Sequence, residues 1–436
     1  MSESATPAHR RAVRAWCLYD WANSAFATTI MAVVLPTFYS SVAASDLPPA
    51  RATSYWGYTN SIAMLMVAFA APVLGAIADH TGSKKRMLGF FASVGVLATA
   101  LLYLVSTGDW LLASFLYVFG RIGFSGSNVF YDALLPHVAK PDEIDQVSAQ
   151  GYAWGYVGGG ILLAVNLAWI LYPSTFGFAD GEMATRIAFV SVALWWGLFS
   201  IPLFRRVSEP AAPSQPSGSK HYLRIAFNRL RYTFQHVRQY GELLKFLIAY
   251  WFYNDGIGTI ITMAAIYGAE LGISNEHLIG AILMVQFVAA PFAFLFGWLA
   301  KRFGTKNSIL LGLVIYACIA VAGYFVTSTL HFWVLAFAVA TVQGGSQALS
   351  RSLFGAMSPN SRSAEFFGFY DISSKFSGIV GPAIFGFVGA AMGSSRYAIL
   401  ALVTLFIIGG FLLYRVDDQH GIAVAAAEDE AARAVT

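Results

Sequence analysis

The chain has few charged residues and almost no cysteine. Of its 436 residues, 11% are Asp, Glu, Lys or Arg, whereas 57% are hydrophobic. Soluble domains carry about 25% charged residues, so this chain lacks the polar surface that a water-soluble globule needs. The two cysteines, Cys17 and Cys318, exclude a disulfide framework and a cysteine zinc site. This composition predicts a polytopic membrane protein.

Motifs of common enzyme classes are also missing. The sequence contains no G-x-x-x-x-G-K-[ST] loop, no H-E-x-x-H helix and no G-x-S-x-G turn. ATP hydrolysis, metalloprotease chemistry and serine-hydrolase chemistry therefore have no support. We expect no enzyme activity, no catalytic residue, no cofactor and no metal site.

Long apolar runs account for most of the chain and predict an all-α protein with twelve transmembrane helices. A spanning helix needs about 20 mostly apolar residues. The twelve candidates cover residues 13–40, 54–78, 87–106, 110–132, 146–172, 186–205, 243–268, 275–300, 307–328, 331–357, 366–391 and 395–415.

One long polar segment, residues 206–242, separates the sixth span from the seventh. Its Pro/Ser-rich start is followed by apolar residues at helical spacing and by five basic residues. This pattern predicts a basic amphipathic helix on the anionic inner leaflet, with membrane lipids as partners; a calmodulin-type target helix is the alternative. The chain thus divides into an N-terminal six-helix half (1–205), a cytoplasmic linker (206–242), a C-terminal six-helix half (243–415) and a cytoplasmic tail (416–436). We expect the tail to be frayed.

Basic residues predict the orientation of the spans. With both termini inside, only three of the 27 Lys and Arg residues fall in outer loops, and two fall within spans. The three are Arg51, Arg186 and Arg396, and the two are Arg121 and Lys375. Because cytoplasmic loops carry an excess of Lys and Arg, we expect cytoplasmic N- and C-termini in a plasma (inner) membrane protein. The same asymmetry explains the pI of about 8.9, so no nucleic-acid partner is expected.

The two halves repeat short sequence patterns in the same order. "GAIADHTGSK" (75–84) matches "GWLAKRFGTK" (297–306), and "YDWANSAFATTI" (19–30) matches "YWFYNDGIGTII" (250–261). A third, looser echo pairs "GSNVFYDALLPHVAKPDEID" with "GSQALSRSLFGAMSPNSRSAE". These matches predict a parallel repeat of six spans, and transporters built in this way bind substrate at the repeat interface near the bilayer midplane.

"GAIADHTGSKKR" resembles the signature between the second and third spans of the major facilitator superfamily, G-x-x-x-D-x-x-G-[RK]-[KR]-x. In the second copy Lys301 replaces the acidic residue. Arg121 resembles the arginine of that superfamily's fourth-span motif, although the surrounding glycine spacing differs.

Longer stretches resemble one group within that superfamily. "YDWANSAFATTIMAVVLPTFY", "NVFYDALLPHVA", "GGSQALSRSLFGAMSP" and "EFFGFYDISSKFSGIVGP" are similar to the UMF1 group, which is related to autophagy-associated vacuolar effluxers of amino acids such as leucine. The resemblance covers essentially all twelve spans. It implies a secondary transporter, whereas the substrate is poorly defined within this group.

Charges near the cytoplasmic ends of the spans are candidates for a gate. Ion pairs there can hold one transport state and break in another. The candidate gate residues are Asp20, Asp79, Gly82, Lys84, Lys85, Arg86 and Asp132. The alternative for Lys84 to Arg86 is that they serve only the orientation of the spans.

Charges within the spans are candidates for the substrate or coupling site. Arg121 lies 11 residues into the fourth span, roughly 17 Å deep, where a guanidinium can hold a substrate carboxylate. Asp255 lies at a similar depth in the seventh span and is a candidate for proton coupling or for binding a substrate amine. The alternative for each is a structural ion pair, for Asp255 with Arg121 or Lys375.

Four further residues complete the predicted central site. Asp371 and Lys375 are spaced i, i+4 and can pair with each other or bind substrate. Asn23 and Asn254 hold equivalent repeat positions, and their amides predict a wet cavity between the halves. By contrast, we expect Arg351 and Glu365 to flank a loop and to face water.

We therefore expect a secondary active transporter that moves a small solute, an amino acid or a related zwitterion, by alternating access. H⁺ or Na⁺ is the expected coupling ion, and a monomer is the expected state. The alternatives are a sugar–cation symporter of the melibiose type and, from other classes, a lipid flippase or a non-transporting membrane sensor.

Overall fold

The computed structural model describes residues 6–209, 237–378 and 380–434, and these ranges contain helices and loops but no strand. The helices of the first half are α1 (Pro7–Ala25), α2 (Pro49–Thr81), α3 (Lys84–Leu101), α4 (Trp110–Ala133), α5 (Ile144–Leu171) and α6 (Gly181–Arg206). The second half contains α7 (Gly241–Glu270), α8 (Asn275–Phe303), α9 (Thr305–Tyr324), α10 (Thr329–Ala356), α11 (Ser363–Phe376 and Val380–Met392) and α12 (Ser395–Ala401 and Val403–Tyr414). Helix α13 (Asp418–Ala434) follows. Residues 210–236, which hold most of the predicted amphipathic helix, lie outside these ranges.

Ten helical segments of the described chain are long and apolar enough to cross a membrane. The other two of the twelve predicted spans are α4 and α7, which have 24 and 30 residues. Both are less apolar because they carry Arg121, Asn254 and Asp255 within their length. The predicted all-α polytopic fold is confirmed.

The first span is longer and less regular than predicted. Thr6 caps α1 by accepting a hydrogen bond from the His9 N–H, and Pro7 occupies the first helical position, where its missing N–H costs nothing. Beyond α1 the chain continues as a π-helix over Phe26–Val33 and again over Tyr39–Ala43. Such widened turns occur often at functional sites.

Helix α11 is broken where the sequence predicts one continuous span over residues 366–391. Its first segment ends at Phe376 and its second begins at Val380. Gly378 and Gly381 weaken the helix at this point, and Pro382 lacks the N–H that a continuous helix would use. The break lies within a predicted span and therefore exposes backbone groups that need other partners.

The two halves meet through equivalent helix pairs. Helix α2 packs on α11, and α8 packs on α5. The aligned repeats place α2 and α8 in equivalent positions of the two halves. The contact of α2 with α11 therefore corresponds to the contact of α8 with α5. Helices α4 and α5 add contacts to α11 and α10, respectively.

We call one end of the bundle the terminal end, because the first and last described residues lie there. It also holds the loops after α2, α4, α8 and α10. The expectation of a frayed tail is wrong, since α13 is a 17-residue helix at this end. Its Asp429 accepts hydrogen bonds from the N–H groups of Asn360 and Ser361, at 2.8 and 2.9 Å.

Candidate functional site

Arg351 of α10 lies at the centre of the terminal half of the bundle, and the expectation that it faces water is wrong. It is only 2% exposed. Its Nη1 lies 3.0 Å from Asp132 Oδ1 of α4 and 3.3 Å from Asp20 Oδ2 of α1. Its Nε and Nη2 donate to the side chain and the carbonyl of Ser148 in α5, at 3.0 and 2.9 Å. A second-half residue is thus held by three helices of the first half.

Aromatic rings enclose the Arg351 guanidinium. The guanidinium carbon lies 4.3, 4.9 and 5.6 Å from the ring centres of Tyr152, Trp16 and Tyr131, within the range of cation–π attraction. Tyr131 also donates its hydroxyl to Asp20 at 2.9 Å. We call Arg351, Asp20, Asp132 and Ser148 the Arg351 cluster.

A glycine of α5 makes room for this cluster. A Cβ at Gly151 would lie 2.8 Å from Asp20 Oδ2 and 3.0 Å from Arg351 Nη2. Any larger residue there would push α5 away from α1 and α10.

The third repeat echo explains why Asp132 and Arg351 meet. Aligning Gly126–Ser127 with Gly345–Ser346 places Asp132 opposite Arg351. The ion pair therefore joins equivalent positions of the two halves with opposite charges. The gate roles predicted for Asp20 and Asp132 stay predictions.

Asp79 makes a second contact between the halves. Its carboxylate accepts from the N–H groups of Ala364 and Glu365 at 3.1 and 2.8 Å, at the N-terminus of α11, where negative charge is favoured. Lys84 pairs with the same carboxylate at 2.9 Å, and both side chains are buried. Gly82 ends α2 in the left-handed conformation, with φ of 60°, and so turns the chain toward Lys84.

His137 lies beside the contact between α2 and α11, which we call the α2–α11 seam. It belongs to the short helix between α4 and α5. Its Nε2 is 3.1 Å from Lys84 Nζ and 3.2 Å from Ser363 Oγ of α11. Burial, together with the nearby Lys84 charge, lowers the pKa of His137 to about 3. The ring is therefore neutral at physiological pH.

The remaining predicted gate cations differ in role. Lys85 donates its Nζ to the Val207 carbonyl at 2.8 Å, after α6. Lys306 donates in the same way to the Val416 carbonyl at 2.8 Å, after α12, so it takes the role of Lys85. Arg86 is exposed, and none of the described carboxylates lies within 4.0 Å of it.

Glu365 is fully buried, so the expectation that it faces water is wrong. Arg362 pairs with it at 2.8 Å and with Glu428 of α13 at 3.2 Å. Because Glu365 also provides an N–H to Asp79, α13 is connected through this loop to the α2–α11 seam.

Arg121 stands apart from these networks. Its Nη1 contacts the weakly accepting Met31 Sδ at 2.6 Å, and its buried Nε has no hydrogen-bond partner in the structure. Within the described ranges no carboxylate lies within 4.0 Å of its guanidinium, so the alternative of a structural ion pair is not seen. Arg121 shares one face of α4 with Asn128 and Asp132, at spacings of seven and eleven residues.

Asn254 and Asp255 of α7 hold the break in α11. Asn254 donates to Ser377 Oγ at 2.6 Å, and Asp255 Oδ2 accepts from the Gly381 N–H at 2.7 Å. The other Asp255 oxygen is buried and has no hydrogen-bond partner among the described residues. Neither Arg121 nor Lys375 lies within ion-pair distance of Asp255.

The other predicted central residues make local contacts. Lys375 pairs with Asp371 at 2.7 Å within α11. Asn23 donates to Asn128 Oδ1 at 2.5 Å, which joins α1 to α4 inside the first half. The symmetric pair of asparagines therefore does not meet across the halves, because each amide is bonded within its own half.

A cavity of about 630 Å³, which includes space open to solvent, lies between α7, α8 and α10. The side chains that line it are mainly aliphatic, and two glutamines add polar groups. The lining residues include Ile260, Leu278, Ile282, Val285, Gln286 and Gln343. Gln343 donates to Tyr156 of α5 at 3.0 Å, and a Cβ at Gly160 would lie 2.9 Å from Gln286. The polar side of the cavity thus faces the first half.

Comparison with known proteins agrees with this architecture. The family described as "Vacuole effluxer Atg22 like" matches residues 49–426. An uncharacterized MFS-type transporter, YxiO, of Bacillus subtilis (strain 168) is 42% identical over 417 residues, which cover 95% of this chain and 97% of that protein. Autophagy-related protein 22 of Saccharomyces cerevisiae (strain YJM789) is 25% identical over 432 residues, covering 85% and 79%.

Solved structures support the fold. The proton:xylose symporter XylE, a major facilitator superfamily protein, has a TM-score of 0.68 at 14% identity and covers 94% of each chain. The transporter FucP in an outward conformation has a TM-score of 0.70 at 13% identity, covering 94% of this chain and 99% of that one.

The family match, the bacterial relative and the helix arrangement lead to the same assignment. The molecule is a transporter of small molecules, not an enzyme, and works by alternating access between two six-helix halves. This chain belongs to the Atg22-like vacuole effluxer family, within the major facilitator superfamily of multi-pass membrane transporters.

Proposed function

We propose that the protein carries an amino acid with an aliphatic side chain across the plasma membrane, with its terminal end in the cytoplasm. The observation that carries this proposal is Arg121 of the fourth span, whose guanidinium has no carboxylate partner among the described residues. An uncompensated cation in this setting is costly and is retained for binding. A substrate carboxylate would provide the missing acceptor with bidentate geometry.

The depth of Arg121 supports a central site. It lies eleven residues, or roughly 17 Å, from the outer end of α4. Gln286 lies eleven residues from the outer end of α8, so it stands at the same depth in the second half. An amino acid held by Arg121 would have the aliphatic cavity beside Gln286 available for its side chain.

The orientation follows from the distribution of basic residues. The terminal end carries Lys84, Lys85, Arg86, Lys301 and Lys306 in its loops. Such an excess of positive charge is typical of cytoplasmic loops. The described state, closed at this end by the Arg351 cluster and by Asp79, is then closed toward the cytoplasm.

Counterflow in proteoliposomes tests the proposal. We expect purified protein to exchange labelled leucine. Leucine analogues that lack the carboxylate should not inhibit this exchange. Losing one partner of a desolvated charge pair costs about 2–5 kcal/mol, so Arg121→Gln should weaken leucine binding by at least about 30-fold. Arg121→Lys should retain part of the activity because it keeps the charge.

Arg86→Gln is the matched control, since it removes an exposed arginine from the same half. It should leave exchange unchanged. The proposal fails if wild-type protein moves no amino acid, or if Arg121→Gln exchanges leucine like the wild type. Counterflow of labelled sugars, without counterflow of amino acids, would favour the sugar–cation alternative.

A further inference from the structure

The Arg351 cluster contains more negative than positive charge. Asp20 and Asp132 share one nitrogen, Nη1 of Arg351, at 3.3 and 3.0 Å. Among the residues described by the structure, no other cation lies within 4.0 Å of either carboxylate. Arg351 is 2% exposed, so little water is present to compensate a second negative charge.

The surrounding groups do not neutralise this excess. Helix α1 contributes Trp16 and Cys17, α4 contributes Tyr131, and α5 contributes Ser148 and Tyr152, all of which are uncharged. On α11 the nearest acid, Asp371, is paired one-to-one with Lys375. A buried pair of carboxylates with a single cation is stable only if one of them binds a proton.

We propose that Asp132 carries an exchangeable proton in the described state, and that opening of the terminal end releases it. Asp20 receives two donors, from Tyr131 and Arg351, which favour its ionised form. Asp132 receives only the guanidinium, and its side chain keeps about 20% exposure, which gives a proton a route to it. The Asp132 carboxyl is therefore the site of the proton.

The release step follows from the geometry of the two halves. Opening the terminal end withdraws Arg351 and α10 from α1, α4 and α5, so water reaches Asp132. The O–H bond of the carboxyl group then breaks, the electron pair stays on Asp132 as carboxylate, and the proton passes to water. Closing requires the reverse step, so proton binding is linked to the change of state. This inference rests on alternating access and not on the identity of the substrate.

Infrared spectroscopy of the purified protein tests the proton directly. A protonated carboxyl group has a C=O stretch that the carboxylate lacks. We expect the wild-type spectrum to contain a component of this band that is lost in Asp132→Asn, whereas Asp132→Glu should restore it. Arg351→Gln should weaken the band, because this substitution opens the terminal end, where Asp132 meets water and releases its proton.

Asp371→Asn is the matched control, because its carboxylate is balanced by Lys375. It should keep the band of the wild type. The proposal is overturned if Asp132→Asn gives the wild-type spectrum, or if the band is lost in Asp20→Asn and kept in Asp132→Asn. Because no substrate is present, these results do not depend on amino-acid transport.

A second measurement concerns coupling. Leucine flux in proteoliposomes should change when a pH gradient is imposed, and the ratio of fluxes with and without the gradient should fall to about one in Asp132→Asn. A wild-type leucine flux that is the same with and without the pH gradient would contradict the coupling. If no leucine moves at all, the amino-acid proposal fails, while the infrared result still decides where the proton is.

Discussion

At the scale of single residues, His137 is a pH-sensitive point of the seam between the halves. It touches Lys84 of the first half and Ser363 of the second. Burial and Lys84 lower its pKa from 6.5 to about 3, so the seam is built for the neutral ring. A protonated ring would place a second cation against Lys84.

Acid should therefore weaken the folded, closed state through His137. Above about pH 6.5 the ring is neutral in both the folded and the unfolded chain, and the stabilisation is complete. As pH falls below about 6.5, the unfolded chain binds a proton that the folded protein excludes, so the free energy of unfolding falls by up to about 1.4 kcal/mol per pH unit. This loss continues until the pKa of about 3 is reached. We expect the melting temperature of wild-type protein to fall more than that of His137→Gln between about pH 7 and about pH 5.5.

His420→Gln is the control for this comparison, because His420 is an exposed histidine of α13. Its pH dependence should match that of the wild type. Equal pH dependence of wild-type protein and His137→Gln would show that the seam tolerates a charged ring.

Single residues also show where sequence patterns suffice. Asp79, Gly82 and Lys84 could be identified because a short motif places them together. The burial of Arg351 could not, since it depends on how α10 meets three helices of the other half. One signal was available, because the repeat aligns Asp132 with Arg351, and equivalent positions near a two-fold axis lie close together. The substrate roles of Arg121, Asp371 and Lys375 stay predictions.

At the scale of elements, glycines set the distance between α2 and α11. A Cβ at Gly75 would lie 2.3 Å from the Ala364 carbonyl oxygen, well inside contact distance with backbone. The equivalent Gly297 of α8 faces α5, where a Cβ would lie 2.9 Å from the Ala149 Cβ. The glycine of the repeated motif thus permits close packing of α2 on α11 and of α8 on α5.

Gly75→Ala should shift the protein away from the state closed at the terminal end. Overpacking of this kind costs about 1–3 kcal/mol, and the strain is relieved when α2 and α11 separate. The test uses protein in which Cys17 and Cys318 are replaced by serine and the buried Ser363 by cysteine. In this background a water-soluble maleimide should react about 5-fold faster or more when Gly75→Ala is present than when it is absent.

Gly57→Ala provides the control in the same helix, because no atom of the described residues lies within 4 Å of a Cβ there. It should leave the labelling rate unchanged. A rate in Gly75→Ala equal to that of the control would mean that the two helices accommodate the methyl group without opening.

Elements also show the limits of periodicity. Long apolar runs are enough to predict twelve spans, because a membrane span needs little beyond length and hydropathy. The break in α11 follows from Gly378, Gly381 and Pro382, which a hydropathy pattern does not weigh. The alanine-rich sequence of α13 favours a helix by itself, whereas the contacts of Glu428 and Asp429 with the loop after α10 are visible only in the structure.

At the scale of the whole molecule, three contacts centred on carboxylates join the halves at the terminal end of the described structure. These are the Arg351 cluster, Asp79 at the start of α11, and Asp145 of α5, which accepts hydroxyl groups of Thr305 and Ser352 at 2.7 and 2.5 Å. The Asp79 contact joins α2 to α11, whereas the Asp145 contact joins α5 to the start of α9 and to α10. The Arg351 cluster lies between them and is the one of the three that pairs opposite charges across the halves.

Breaking the central contact should therefore open this end. Spin labels at Arg86 and Lys301, exposed positions of opposite halves, would report the separation of the halves by pulsed electron resonance. In wild-type protein we expect one short, narrow distance distribution. In Arg351→Gln, a longer distance should become the major population, because removing one partner of a buried ion pair costs about 3–5 kcal/mol. A shift of this size is enough to reverse a two-state equilibrium.

Lys375→Gln separates this effect from a general loss of buried charge. Its ion pair with Asp371 lies within α11 and does not join the halves, so its loss should leave the short distance in place. If Arg351→Gln also kept the short distance, the other contacts between the halves would be enough to hold the end closed, and Arg351 would not be the residue on which closure depends. If both variants shifted to the longer distance, closure would depend on charge anywhere in the bundle and not on the contact between equivalent positions 132 and 351.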